Sequence, residues 1–380
     1  MPLAKQSLTE RVMQHSVVSA SVPGSHSPAP ASLAGLVTEQ LRRFLDAQID
    51  QLTELSPDLA PLAEAARRSV LDGGKRLRPT FGYWGWRAVQ PAGAADEELV
   101  LAAVASLELL HACALVHDDV MDASATRRGR PAAHVEFARQ HAAAGWPGSA
   151  ETFGTAGAIL LGDLLLSWAG QMLAGAIRAL PAGRAAAAER EFDRMRSEVV
   201  AGQFLDVLAQ SRGRFDPDEA LRVIRLKTSM YTVVRPLLLG ATAGGAPAQV
   251  QAELTDYGNA LGEAFQLRDD LLGVFGDPEE TGKPAGDDLR EGKRTLLVAL
   301  AVAGAEPGQR QRIEAAVGNA ELTEADVVAL RQLLAPAAEQ VERRIADRAA
   351  AAVGQLSPAI RPDAREALAE LAEAAAHRRF

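Results

Sequence analysis

Cysteine, lysine and aromatic residues are scarce in this 380-residue chain, and positive charge is in deficit. One cysteine, Cys113, cannot form an intrachain disulfide, which points to a reducing compartment and a cytoplasmic protein. The net charge of −9 argues against a nucleic-acid binder. It also leaves no general field to attract phosphates, so a phosphorylated substrate must be caught by a local basic cluster or by metal ions. Long apolar runs are cut by charges, Asp163 within ILLGDLLLSW and Arg235 within MYTVVRPLLLG, so no transmembrane segment is expected. The first thirty-odd residues lack the apolar run of a signal peptide, and residues 1–32 read as a disordered tail. Strand-like alternation is almost missing.

What is present is a chain 48% apolar, rich in alanine and leucine, with ample material for a core. Apolar residues recur at three- and four-residue spacing, as in Val37, Leu41, Leu45 and Ile49, then Leu101, Val104, Leu107 and Leu110. Pro91, Pro147, Pro181, Pro217, Pro247 and Pro307 fall between such stretches, as helix breaks do. No linker after Leu36 separates two cores, so residues 33–380 read as one all-α domain, a large helical bundle of about ten or more helices.

Of the forty basic residues only five are lysine: Lys5, Lys75, Lys227, Lys283 and Lys293. Four of them sit among other phosphate-suited polar residues. A compact ammonium and a planar guanidinium together grip a diphosphate from several sides. The first cluster is Asp72-Gly-Gly-Lys-Arg-Leu-Arg-Pro79, in which Lys75 and Arg78 share a face near a helix start. It lacks the spacing of a nucleotide-binding P-loop, and a plain surface turn explains it equally well.

The second cluster says more. An apolar helix from about Leu99 runs through His111-Ala-Cys-Ala-Leu-Val-His117 into Asp118, Asp119 and Asp122, and Arg127, Arg128 and Gly129 follow. Asp118 and Asp122 lie one turn apart on the same face. Three carboxylates at a helix C-terminus oppose its dipole unless a cation compensates. Mg²⁺ suits the place, because it takes one or two carboxylates plus waters and phosphate oxygens. The bland alternative is an acidic turn neutralised by Arg127 and Arg128. A third cluster, Phe265-Gln-Leu-Arg-Asp-Asp-Leu-Leu-Gly273, again ends an apolar helix in carboxylates, Asp269 and Asp270, and a glycine-rich loop with Lys283 and Lys293 follows.

In order and spacing, GGKRLRP, HDDVMD with TRRGRP, Lys227-Thr228, and FQLRDD with TGKPAGDDLREGK resemble the trans-isoprenyl diphosphate synthases, the polyprenyl synthetase family. The resemblance runs from about Leu36 to the C-terminus. It implies an all-α homodimer whose helices surround a deep apolar cavity. The reaction it implies is head-to-tail condensation of isopentenyl diphosphate with an allylic diphosphate.

Carried over by position, Asp118, Asp119 and Asp122 form the first aspartate-rich motif and Asp269 and Asp270 the second. Together they bind Mg²⁺, three ions per active site with substrate bound. Gly74, Lys75, Arg78, His111 and Arg128 correspond to the isopentenyl diphosphate site. Arg127, Lys227, Thr228, Gln266, Lys283 and Lys293 correspond to the allylic diphosphate site, with Gln203 and Asp206 lining the same space. The catalytic set implied is Asp118, Asp119, Asp122, Arg127, Lys227, Asp269 and Asp270.

One departure stands out: the family's second motif ends in a third aspartate, and here that place is Gly273. The milder consequence is favoured, since two aspartates remain and Mg²⁺ accepts water for a protein ligand. Asp277, four residues on, is flanked by Gly276 and Pro278 and makes a poor helical substitute.

Product length in the family depends on the floor beneath the first aspartates. Here Cys113 and Ala114 are small, with Leu110 deeper, which implies a product of at least twenty carbons and a geranylgeranyl diphosphate synthase. A longer-chain synthase is the runner-up. A class I terpene cyclase would leave GGKRLRP and His111 unexplained, and a non-catalytic partner subunit would fit Gly273 but not the intact first motif. His117 reads as a hydrogen-bonding or helix-end group, and His377, Arg378 and Arg379 as complements to the last helix's dipole.

Overall fold

The computed structural model describes residues 30–276 and 286–376. The tail before Pro30, Asp277, Lys283, and the cationic end His377, Arg378 and Arg379 lie outside the described residues. Helix α1 (Pro30–Leu55) buries Val37, Leu41 and Leu45 completely, the four-residue stripe expected of an amphipathic helix. A single 3₁₀ turn leads to α2 (Ala60–Leu71), α3 (Leu77–Arg87) and α4 (Glu97–Met121). The short antiparallel hairpin of β1 (Thr126–Arg127) and β2 (Arg130–Pro131) then precedes α5 (Ala133–Ala144), α6 (Ala150–Ile177) and α7 (Ala182–Arg212). Next come α8 (Pro217–Val223), a π-helical stretch (Ile224–Val234), α9 (Arg235–Gly244) and α10 (Ala248–Phe275). The chain closes with α11 (Asp287–Arg290), α12 (Leu296–Gly304), α13 (Pro307–Ala316), α14 (Glu324–Gly354) and α15 (Pro362–Ala376).

Boundaries follow local chemistry. Ser149 caps α6 by accepting from Thr152 N, Asp216 caps α8, and Thr323 with Asp326 forms a capping box on α14. All six prolines expected as breaks lie between helices or at a helix's first residue. The π-helical stretch was not foreseen; it is wedged between α7 and α10 by close backbone approach. A Cβ on Gly202 of α7 would stand 2.6 Å from Lys227 N, and one on Gly262 of α10 would stand 2.6 Å from Ser229 Cβ, so only glycine fits on either side.

One hydrophobic cluster joins α1 to α7, the π-helical stretch, α9, the first half of α10 and α15, while a second joins the far end of α10 to α12, α13 and α14. By length and composition α4 and α6 could each cross a bilayer despite Asp163, because one or two charges per span do not disqualify a helix. Burial accounts for the apolarity of α4, 72% of whose most apolar window is buried inside the protein, but for α6 only in part, where the share is 44%. α4 is thus a core helix. α6 keeps an apolar outer face, including Phe153, Ile159 and Leu160.

Candidate active site

The two acidic helix ends face each other across the π-helical stretch. Asp118 near the end of α4 accepts from Gln203 Nε2 of α7 at 3.0 Å, and Lys227 Nζ reaches it at 3.4 Å while pairing with Asp206 at 2.8 Å. The next residue, Thr228, donates its hydroxyl to Gln266 Oε1 at 2.6 Å, and Gln266 in turn donates to Asp270 of α10 at 2.7 Å. Two adjacent residues of the π-helical stretch therefore tie the first acidic end to the second. π-Helical turns recur at functional sites because they re-aim side chains that an α-helix would place elsewhere.

Asp119 is almost fully buried and accepts from Arg127 Nε at 2.9 Å. Burial raises its carboxyl above the usual range, opposed by that guanidinium. Asp122 is pushed up to about 6, first by burial and then by Asp118, against the pull of Lys227 and Lys293. Asp270 is pushed up to about 8 by burial and by the charges of Asp288 and Asp269. For Lys227 burial works against the ammonium, but Asp206 and Asp118 outweigh it and hold the lysine protonated. At each helix end like charges oppose one another, Asp118 against Asp122 and Asp288 and Asp269 against Asp270. Among the described residues no three of these side chains are drawn together closely enough to hold a metal ion, since Asp118 and Asp119 are turned to Lys227, Gln203 and Arg127 instead.

Gly273 acquires a physical reading here. A Cβ built at that position would overlap Asp288 Oδ2 and stand 2.5 Å from its Cγ. Asp288, buried at the start of α11, is held by Lys293 Nζ at 2.9 Å, and Lys293 also pairs with Glu291 at 2.6 Å. The room left by the missing side chain is filled by a carboxylate from the following segment. Neither Asp288 nor Glu291 was singled out in the sequence, because both stand in an acidic string in which nothing marks the inward-facing members.

The basic side of the site lies farther back along α4. Gly73 and Gly74 take φ of +83° and +100°, turning the chain between α2 and α3. Arg78 donates to Thr232 at 2.9 Å and lies over the Tyr231 ring at 4.3 Å, while its buried Nε has no hydrogen-bond partner among the described residues. Arg128 donates to Asp72 O at 2.8 Å, which brings the hairpin against the glycine turn that carries Lys75. His111 sits 3.5 Å from Tyr231 Oη. Burial first, and then Arg78, Arg128, Arg127 and Arg76, hold its imidazole well below the usual range. Among the residues sequence reasoning passed over is Glu108, buried one turn before His111 and paired with Arg76 at 2.7 Å.

Beneath the aspartates, Leu110 and Cys113 are buried and Ala114 is half-buried. Cys113 Sγ lies 3.8 Å from His117 Nδ1, whose Nε2 lies 3.1 Å from Ile159 O of α6. His117 is thus a hydrogen-bonding strut between helices. Gly162 gives it room, since a Cβ there would stand 2.7 Å from its Cε1.

Residues 60–334 match the family described as Polyprenyl synthetase. A geranylfarnesyl diphosphate synthase of Aeropyrum pernix is 34% identical over 272 residues, covering 71% of this chain and 78% of that protein. A geranylgeranyl diphosphate synthase of Sulfolobus acidocaldarius is 32% identical over 280 residues, covering 74% and 78%. Among solved structures, a geranylgeranyl pyrophosphate synthase from Corynebacterium glutamicum, complexed with isoprenyl diphosphate and magnesium, superposes with a TM-score of 0.86 at 40% identity, covering 91% of this chain and 99% of that one. An all-α bundle with two acidic helix ends joined through Lys227 and Thr228 and this breadth of match lead to one conclusion: the chain belongs to the polyprenyl synthetase family and is a trans-isoprenyl diphosphate synthase, a prenyltransferase of isoprenoid biosynthesis.

Proposed function

We propose that the protein condenses isopentenyl diphosphate head-to-tail with an allylic diphosphate to give geranylgeranyl diphosphate, with Mg²⁺ as its cofactor and three ions engaged when substrate is bound. The observation that carries this reading is the chain of contacts Asp118–Lys227 and Thr228–Gln266–Asp270, which sets both acidic ends around one space. Asp118, Asp119, Asp122, Asp269 and Asp270 offer only oxygen donors, as a hard cation requires. Asp122, Asp270 and Asp119 are destabilised as carboxylates by burial, which suits them to receive one. When bound, Mg²⁺ supplies positive charge for the allylic diphosphate.

The chain's own groups do the rest. Arg127, Lys227, Lys293 and Lys283, with Thr228 and Gln266, hold the allylic diphosphate and stabilise the charge it gathers as the C–O bond breaks. Lys75, Arg78 and Arg128, with His111 neutral among them and Gly74 allowing close approach, hold isopentenyl diphosphate so that its double bond faces the allylic carbon. The released diphosphate takes the proton whose loss restores an alkene. Apolar side chains of α4 and its neighbours keep water from quenching the cation.

Product length rests on the floor. The reading rests on the small size of Cys113 and Ala114, about one turn before Asp118 on α4, where an aromatic would take up more room, and on Leu110 a further turn back. The protein is further proposed to be a homodimer, supported by the outward apolar faces of α6 and α7, where Leu160, Val200 and Phe204 are each more than 60% exposed, and to be cytoplasmic, a reading that rests on its single cysteine.

The test is incubation of the purified chain with labelled isopentenyl diphosphate, farnesyl diphosphate and Mg²⁺, with products resolved by length. A Mg²⁺-dependent twenty-carbon diphosphate supports both reaction and floor. Thirty carbons or more keep the reaction and overturn the floor. No incorporation with any allylic primer overturns the proposal in favour of a partner subunit.

A further inference from the structure

The turn that carries Lys75 is held from below by a buried ion pair to which no role is yet attached. Arg76 Nη1 meets Glu108 Oε2 at 2.7 Å, with the two side chains only 5% and 4% exposed. Arg76 takes φ of +52°, a left-handed backbone that a long side chain adopts only when its surroundings hold it there. It directly follows Gly73, Gly74 and Lys75. Its carbonyl accepts from Thr80 N at 3.0 Å and from the Thr80 hydroxyl at 2.8 Å, so the same residue opens α3 and aims Arg78.

The guanidiniums of Arg76 and Arg128 flank Gly74, where a Cβ would stand 3.5 Å and 3.3 Å from them. Asp72, at the start of the turn, is gripped from the other side by Arg128 and Arg130. Four arginines thus converge on the neighbourhood of His111, and Glu108 is the buried carboxylate that reaches in among them.

Stability alone is a weak account of such a pair, because burying two charges costs about as much as their attraction returns and apolar replacements often do as well. Geometry gives a better one. Glu108, His111, Asp118 and Asp122 follow at intervals of three, seven and four residues, which keeps them on one face of α4. An α-helix rises about 1.5 Å per residue, so Glu108 fixes the basic turn about 15 Å along the same rigid rod from Asp118.

We propose that Glu108, through Arg76, is a positioning residue that sets the isopentenyl diphosphate site at a fixed distance from the allylic diphosphate site. The inference rests on the proposed function, which assigns the basic turn to isopentenyl diphosphate. Glu108 touches no substrate. It acts by keeping Gly74, Lys75 and Arg78 in register with α4, and misplacing a binding group by about 1 Å costs orders of magnitude in rate.

The experiment uses the full chain and steady-state kinetics with both substrates varied. Glu108→Gln should raise the KM for isopentenyl diphosphate on the order of tenfold or more and leave the KM for farnesyl diphosphate within about twofold, because the acidic end of α4 is untouched. Glu108→Asp, which keeps the charge and shortens the reach, should give an intermediate rise. The double variant Arg76→Met, Glu108→Leu removes both charges and refills the volume, so it keeps the protein folded even if Glu108→Gln does not.

In the double variant, wild-type melting with a raised isopentenyl diphosphate KM supports positioning. Wild-type melting with a wild-type KM, or equal rises for both substrates, overturns it. Arg78→Ala separates the two layers of the argument. If that variant leaves the isopentenyl diphosphate KM unchanged, the site reading itself fails; if it raises the KM while the double variant does not, the positioning role alone fails.

Discussion

The two acidic helix ends have the same task in the proposed site and are built differently. At the end of α4 the carboxylates come from one run of chain, and their partners come from elsewhere: Arg127 from the hairpin, Gln203 from α7, Lys227 from the π-helical stretch. At the end of α10 two carboxylates come from the helix, and Asp288 fills the space beside Gly273 from a different segment. The first end is complete in sequence, whereas beside the second a carboxylate from another segment, paired with Lys293, occupies the space that a third side chain would take. A motif read along the chain therefore records where a family usually places its third carboxylate, and a gap there does not establish a gap in the site.

The largest effect expected bears on the first end. Asp118→Ala removes the carboxylate bonded to both Gln203 and Lys227, and kcat should fall on the order of 10³-fold at saturating substrate. Unchanged turnover would show that the end complete in sequence is not the one that matters. The second end provides the sharper discrimination, through Asp288→Ala and Gly273→Asp. Asp288→Ala should weaken Mg²⁺ activation about 10- to 100-fold, read as the metal concentration at half-maximal rate. Gly273→Asp restores the linear motif, yet its Cβ claims the space of Asp288 and drives that carboxylate off Lys293. Turnover should therefore fall by about tenfold and the melting temperature with it. A gain in activity or in metal affinity would break the comparison and return Gly273 to a simple loss.

The floor offers a third variant. Ala114→Phe places an aromatic one turn below Asp118 in a half-buried position and should shift the product mixture from twenty carbons toward fifteen without loss of isopentenyl diphosphate consumption. Product length unchanged would move the floor elsewhere in the bundle.

How much of this was legible in the chain depends on what signal each feature leaves. Helices were legible, because burial of one face writes a 3.6-residue period, as Val37, Leu41 and Leu45 show. The first motif was legible because three carboxylates ending an apolar helix have no bland explanation of equal weight. The π-helical stretch carrying Lys227 was not. Eleven residues are too few for its wider period to stand out, and what wedges it in place is contact with Gly202 and Gly262 of other helices. Glu108 was hidden for a related reason. Between Leu107 and Leu109 it reads as the polar member of a helix, and only the folded position of Arg76 makes it an inward charge. Asp288 was hidden among neighbours of the same type. In each case the missing information is a long-range contact.

The opposite pole of α4 sharpens the comparison at smaller amplitude. At Asp122 burial and a like charge push the carboxyl up to about 6, whereas at His111, three turns back, burial and four arginines push the imidazole down. His111 is therefore neutral in the folded chain over a range where the unfolded chain, with an ordinary value near 6.5, takes up a proton. In that range the unfolded state binds more protons, so the contribution of His111 to stability is fully present above about 6.5 and is lost as pH falls toward the folded value. Melting temperature measured between pH 7.5 and 5 should fall on the acid side, and His111→Gln, which stays neutral, should flatten that limb. Asp122 acts with the other sign: its contribution is present at low pH and is lost as pH rises from about 4 through about 6. Asp122→Asn should thus steepen the acid limb where His111→Gln flattens it. If both variants leave the profile as it was, the electrostatic opposition between the two poles of α4 does not reach the stability of the fold.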